Sequence, residues 1–267
     1  MSNKKVTVII AAHKKYRMPE DAMYLPLHVG AEGKEPIGFQ TDNTGDNISS
    51  LNPFFCELTG MYWAWKNLDS DYIGLAHYRR HFSFHPHKKD VWDNVLTYDE
   101  LAKYLDHIRV FTPQKRRYYI ETLYSHYDHT HYINQLDETR KILSEKYPDY
   151  TDSFDKVVKQ RWGYMFNMMI MEKSLFDDYC TWLFSLLFEL RERLGEEGLT
   201  PFHQRYYGRV SEIAFNVWLK KQIADGRIKK SQTKEIPLIH MEPINWRKKG
   251  MAFLKAKFLK KKYEGSF

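Results

Sequence analysis

"DYIGLAHYRRHF", residues 71–82, runs apolar from Tyr72 to Ala76 and then stops in His77, Tyr78, Arg79, Arg80 and His81. A buried strand that ends in such a density of cations sets its charge at the carboxyl end of a sheet, where open α/β folds bind ligands. The segments around it fit that frame. Val6–Ala12, "VTVIIAA", is an unbroken apolar run, the pattern of a strand covered on both faces, and it ends in "HKKY". "NPFFCELTGMYWAWKNL" (52–68) places Pro53 at a first helical position behind Asn52, with Phe54, Leu58, Met61, Trp65 and Leu68 at helical spacing. Strand, loop, helix, strand predicts a right-handed crossover and a parallel sheet.

Downstream, "TYDE" (97–100) reads as a capping box before the helix "ELAKYLDHI", and "RVFTP" (109–113) as a short strand closed by proline. The Tyr- and His-rich "RRYYIETLYSHYDHTHY" (116–132) reads as helix and loop. "YMFNMMIMEK" (164–173) is expected as a strand. A long buried helix follows, with Ser174 and Asp177 in capping positions, and then a last helix capped by Ser211 and stopped at Gly226. The fold class is therefore α/β, a mostly parallel central sheet flanked by helices, with one domain over residues 1–244 and a tail over 245–267.

That tail decides what the charge means. Of 41 Lys and Arg, eight fall in Trp246–Phe267, against one of 34 Asp and Glu, so the net +7 belongs to the tail and the body is neutral. A neutral body without a basic stripe argues against a nucleic-acid partner. Met251, Leu254 and Phe258 lie at i, i+3 and i+7 among lysines. Two readings stand: a basic amphipathic helix lying on an anionic membrane surface, or a solvated terminus. The apolar runs at the start and at Trp182–Leu190 are too short to cross a bilayer. Cys56 and Cys180 sit far apart among apolar neighbours, in no metal-ligand spacing, as suits reduced thiols. A cytoplasmic protein, peripheral at the inner face of the membrane, is the expected location.

Three polar clusters compose the expected site: His13 and Lys14 after the first strand, His77, Tyr78, Arg79 and Arg80 after "DYIGLA", and the loop "QTDNTGDNIS" (40–49) between them. The loop offers residues tolerant of positive φ and consecutive N–H groups, the makings of an anion nest, with Thr41, Asp42, Asn43, Gly45, Asp46 and Asn47 as its candidates. Taken alone it reads first as an Asx-capped turn, and the anion nest gains weight only from the two cationic clusters at adjacent strand ends. Arginine forks and histidines beside a nest describe a diphosphate site. Asp69 and Asp71 precede the strand, so they fall at the opposite edge, and no metal site is read from them. Glu212 is the first candidate for a general base and His203 the second, although an acidic residue in a first helical turn also complements the helix dipole. Trp162, Tyr164, Tyr206 and Tyr207 are candidates for a wall on which an acceptor sugar stacks.

With "AAHKKYRMP", "YLPLHVG", "QTDNTGDNIS", "NPFFCELTGMYWAWKNL", "DYIGLAHYRRHF", "RRYYIETLYSHY", "FNMMIMEKSLFDDYCTWLF" and "RVSEIAFNVWL" in view, the chain resembles a family of bacterial capsular and exopolysaccharide biosynthesis proteins. That family was long catalogued as a domain of unknown function and its members are regarded as glycosyltransferases. The resemblance spans residues 7 to about 219 and implies a GT-A-like fold. It also implies a nucleotide-sugar donor, with UDP-linked galactose or galactofuranose leading, and hexose transfer to a lipid-linked or polymeric glycan such as capsule or O-antigen. It assigns the donor site to the "TDNTGDN" and "HYRR" residues. GT-A proteins ordinarily carry an Asp-x-Asp after a central strand to hold a divalent metal, and "AHYRRH" stands there instead, so cations replace a metal in this expectation. A nucleotidyl- or phosphotransferase using the same anion pocket, or a non-catalytic nucleotide- or glycan-binding subunit of an assembly complex, are the rival readings.

Overall fold

The structure is a computed structural model and describes residues 3–243. The tail expectations, including the amphipathic helix, lie outside the described residues.

Among the described residues eleven strands form: β1 (Val6–Ala12), β2 (Tyr24–His28), β3 (Gln40–Thr41), β4 (Tyr72–His77), β5 (Arg80–Phe82), β6 (Val110–Pro113), β7 (Arg116–Arg117), β8 (Trp162–Gly163), β9 (Met169–Glu172), β10 (Thr233–Ile236) and β11 (Leu238–His240). Nine of them share one sheet in the order β10-β6-β9-β4-β1-β2-β3, with β5 and β11 paired beside β4, while β7 and β8 make a separate ribbon. β1 is parallel to both β2 and β4, and β9 is antiparallel to β4 and β6, so every strand of the main order except β9 points the same way. The expected strand at 164–173 is shorter than its apolar run: only Met169–Glu172 pairs. Phe166 and Asn167 take positive φ of 74° and 52°, which no strand residue adopts, and they turn the preceding segment across the carboxyl edge of the sheet.

Among the described residues eight α-helices flank the sheet: α1 (Asn52–Phe55), α2 (Leu58–Asn67), α3 (Tyr98–Ala102), α4 (Leu123–Thr130), α5 (Asn134–Lys146), α6 (Thr151–Val158), α7 (Lys173–Leu194) and α8 (Tyr206–Ala224). The period-2 rule explains the layers. Ile9, Ala11, Ile73 and Leu75 join the larger core with α2, α7 and α8, while Val8, Ile10, Tyr72 and Ala76 join a second core with α3. Both faces are covered, which is why β1 and β4 read as continuous apolar runs. The capping box at Thr97 and Glu100 forms as expected.

Three helix starts differ from expectation: α7 begins at Lys173 behind Glu172 with no side-chain cap, so Ser174 and Asp177 lie inside the helix and do not cap it. The helix over 52–68 is broken at Cys56, which has φ 53° and ψ −129°. The Asn52 amide donates to Cys56 O at 2.8 Å and to Thr59 Oγ1 at 3.1 Å, holding the break in place. α8 begins at Tyr206, five residues before Ser211, so Ser211 is buried in mid-helix and caps nothing. Among the described residues no helix is long and apolar enough to cross a membrane.

Candidate functional site

The site lies at the carboxyl edge of β1, β4 and β6, closed on one side by the start of α2 and the first turns of α8. The break at Cys56 makes Glu57 the cap residue of α2, and its carboxylate accepts from Asn167 Nδ2 at 2.7 Å. The neighbouring Phe166 N–H donates to Glu212 Oε1 at 2.7 Å. Because α8 starts early, Glu212 stands at the end of the second turn and the helix dipole does not account for it. Burial, followed by the Glu57 carboxylate, pushes the Glu212 carboxyl up to about 7. Two acidic side chains are thus held around one strained dipeptide.

Cations face them. Arg80 stacks its guanidinium over the Phe166 ring at 4.5 Å, and its Nε is buried without a protein partner. Arg209, one turn before Glu212, lies over the Phe202 ring at 4.1 Å with Nη1 likewise unpartnered. Asn167 Oδ1 is the third buried polar atom here without a partner. Buried polar groups are normally satisfied, and these three lie in the surroundings of the Glu57 and Glu212 carboxylates, which makes this edge the candidate for a polar ligand. His77 joins them: its Nε2 lies 2.7 Å from Phe166 O, so that nitrogen carries the hydrogen and donates. Burial holds the His77 pKa below the usual range despite the nearby Glu57.

Next to this pair is a more open cationic cluster. Exposed His13 meets the Tyr78 ring edge-on at 5.2 Å, and Lys14 and Arg79 lie 5.5 and 5.2 Å from that ring's centre. Burial, then Arg79, Lys14, Arg205 and Lys34, lowers the His13 pKa, which places four positive side chains around one imidazole. Arg205 Nε donates to Cys56 Sγ at 2.9 Å, tying the start of α8 to the break before Glu57.

The expected residues divide. His13, Lys14, His77, Tyr78, Arg79, Arg80 and Glu212 come together. The "TDNTGDN" loop does not join them. Asp42 is fully buried, and its oxygens accept from Gly30 N (2.8 Å), Ala31 N (3.0 Å), Ser49 Oγ (2.5 Å) and Thr59 Oγ1 (2.6 Å), so it has no capacity left for a ribose. Thr41 ends β3, and Asn43 Nδ2 lies 3.5 Å from Glu32. Thr44 Oγ1 accepts from Trp63 Nε1 at 3.0 Å, Asp46 accepts from Tyr62 at 3.2 Å and, through its carbonyl, from Asn67 at 2.8 Å, and Asn47 donates back to Gly45 O. Asn67 is ten residues beyond Glu57, about 15 Å along the helix. The loop therefore braces α2 on its outer flank.

The aromatic candidates also divide. Trp162 and Tyr164 are half-buried near the acidic pair, where Asn216, one turn past Glu212, bonds both the N–H and the carbonyl of Tyr164 at 2.9 Å. Lys115 sits 4.7 Å from the Trp162 ring centre and pairs with Glu235 at 2.6 Å. Tyr206 and Tyr207 are core residues instead: Tyr206 is 1% exposed and donates to Gly195 O, so neither is available to a sugar. His203 is 5% exposed inside a cage of His131, Tyr132 and Phe202 rings, which is a packing role. Asp71 Oδ2 accepts from Lys5 N at 2.7 Å, at the opposite edge as expected. Among the described residues no group of three or more His, Cys, Asp or Glu could hold a metal ion.

Sequence reasoning missed Glu57, Asn167, Arg205 and Arg209. Arg205, Arg209 and Glu212 lie at i, i+4 and i+7, a signal legible once the helix is extended toward its true start. Glu57 and Asn167 carry no such signal, because both owe their position to positive-φ breaks.

The model of a domain of unknown function, DUF4422, matches residues 7–223. Among solved structures, the apo form of the WbbM bifunctional glycosyltransferase is similar, with a TM-score of 0.82 and 30% identity over 90% of this chain. The chain spans 46% of that protein's length. No curated protein matches the chain. The shared architecture, a mostly parallel sheet flanked by helices, is GT-A-like.

Proposed function

The chain belongs to the DUF4422 family, and we propose that it is a nucleotide-sugar-dependent glycosyltransferase. The observation that carries this reading is the desolvated Glu212 carboxyl, poised near neutrality beside Glu57 and facing Arg80 and Arg209. The likeness to a bifunctional glycosyltransferase supports the same class of chemistry.

In this reading the donor diphosphate is held by Lys14, Arg79, Arg80 and Arg205, with His13, His77 and Tyr78 lining it. An acceptor hydroxyl attacks the anomeric carbon as the bond from that carbon to the diphosphate oxygen breaks, and the electron pair leaves with the diphosphate. Glu212 takes the hydroxyl proton as it is lost, which general-base catalysis makes worth about 10²–10⁴ in rate. The guanidinium and ammonium groups stabilise the charge that grows on the leaving diphosphate, the part a divalent ion plays elsewhere. Trp162 and Tyr164 form the wall for the acceptor glycan. The leading donor is UDP-galactose or its furanose form and the leading acceptor a lipid-linked or polymeric surface glycan, with the basic tail holding the protein at the inner membrane surface.

Incubation with UDP-hexoses in EDTA tests this directly. Wild type is expected to release UDP with a glycan acceptor, and Glu212→Gln to lose that activity while still binding UDP. Equal turnover by both proteins would remove Glu212 from the mechanism. Truncation after Asn245 is expected to release the protein from anionic vesicles, and undiminished sedimentation with them would remove the anchor.

A further inference from the structure

At the end of the β7–β8 ribbon the chain makes a tip that the site chemistry does not use. Tyr119 is 76% exposed and Ile120 58% exposed, the two most exposed large apolar residues among those described. Tyr119 holds φ 55°, a conformation a tyrosine adopts only under constraint. The constraint is visible: Ile120 N–H donates to Tyr118 O at 2.6 Å, Tyr118 N–H donates to Arg161 O at 2.8 Å, and Arg161 Nη1 donates to Tyr119 O at 3.1 Å. Tyr118 beneath is buried, so the tip is anchored while Tyr119 and Ile120 are held outward.

Charge identifies the occupant. Arg116, Arg117 and Arg161 are exposed around the tip, whereas the adjacent carboxylate, Glu121, is 2% exposed and bonded at 2.8 Å by both His126 and His129. An aromatic and an aliphatic side chain ringed by guanidinium groups fit the boundary between lipid headgroups and acyl chains, where tyrosine rings settle and arginines reach anionic phosphates. Two side chains offer at most a few hundred Å², well below the roughly 800 Å² per partner of a stable protein interface. We propose that the Tyr119–Ile120 tip is a contact for an anionic lipid bilayer, separate from the tail.

The test is partition of the full chain onto phosphatidylcholine vesicles with and without phosphatidylglycerol. Tyr119→Ser combined with Ile120→Ser is expected to lower partition onto the mixed vesicles about tenfold, and Arg117→Glu to lower it only where the anionic lipid is present. The tail is intact in every variant, so the differences belong to the tip. Partition of the double variant within about twofold of wild type overturns the proposal. So does a wild-type dimer, seen by light scattering, that the double variant loses with its partition unchanged. UDP titration of the same variants keeps the outcomes apart, because lost vesicle binding with intact UDP affinity concerns the tip alone, and absent UDP binding in wild type concerns the transferase reading alone.

Discussion

Two regions of this protein carry the sequence signature of an anion site, and the fold uses them in opposite ways. In the loop 41–47 the polar side chains are engaged: Asp42 takes four hydrogen bonds, and Thr44, Asp46 and Asn47 bond to α2 or to the loop itself. At the ends of β1 and β4, with the start of α8, Arg80, Arg209 and Asn167 each keep a buried atom without a partner. A polar group satisfied by its own chain holds structure, and one left unsatisfied at a sheet edge is held for something else. Residue type is the same in both regions, and only the accounting of hydrogen bonds separates them.

Glu212→Gln should break this contrast most visibly, lowering kcat by about 10²–10⁴ and removing an acidic limb near pH 7 from the rate profile. Stability should move the other way. Folding raises the Glu212 pKa from 4.5 to about 7, so the unfolded chain ionises first and the wild type loses stability as pH climbs through that window. The variant should therefore melt higher at pH 8, by up to about 3 kcal/mol, and no higher below pH 4, as thermal scans at both pH values will show. Equal melting at pH 8 contradicts a desolvated carboxyl.

Asp42→Ala leaves four donors without their acceptor and should cost about 3 kcal/mol in urea titrations, with UDP affinity in the folded protein unchanged. A binding defect at full stability would return Asp42 to the site. Gly45→Ala should be milder. Gly45 sits at φ 59°, and an added Cβ would come within 2.0 Å of Asn67 Oδ1, the end of a side chain that can turn aside. A loss of about 1–2 kcal/mol is expected, with activity retained.

How much could be read beforehand follows from these particulars. The paired strands β1 and β4, the capping box at Thr97 and the cation cluster at His77–Arg80 are local patterns, and a sequence displays local patterns. Glu57 was hidden because the run Phe54–Leu58–Met61 reads as one continuous helix, and nothing in "FFCEL" announces that Cys56 takes positive φ. The extent of β9 was overestimated because "YMFNMM" is apolar throughout, while Phe166 and Asn167 are positioned by contacts from Glu57, His77 and Glu212, which come from distant parts of the chain. Asp42 misled because a side chain able to bind ribose is equally able to bind the backbone N–H groups of Gly30 and Ala31.

The most direct test is calorimetric titration of UDP, in EDTA, into three proteins: wild type, Arg80→Ala, and a variant with Asn43, Asp46 and Asn47 all replaced by alanine. Loss of charge-assisted hydrogen bonds should weaken binding to Arg80→Ala by about tenfold or more, while the loop variant stays within about twofold of wild type. The reverse pattern, with Arg80→Ala unaffected and the loop variant unable to bind, would place the anion site in the loop and contradict the account.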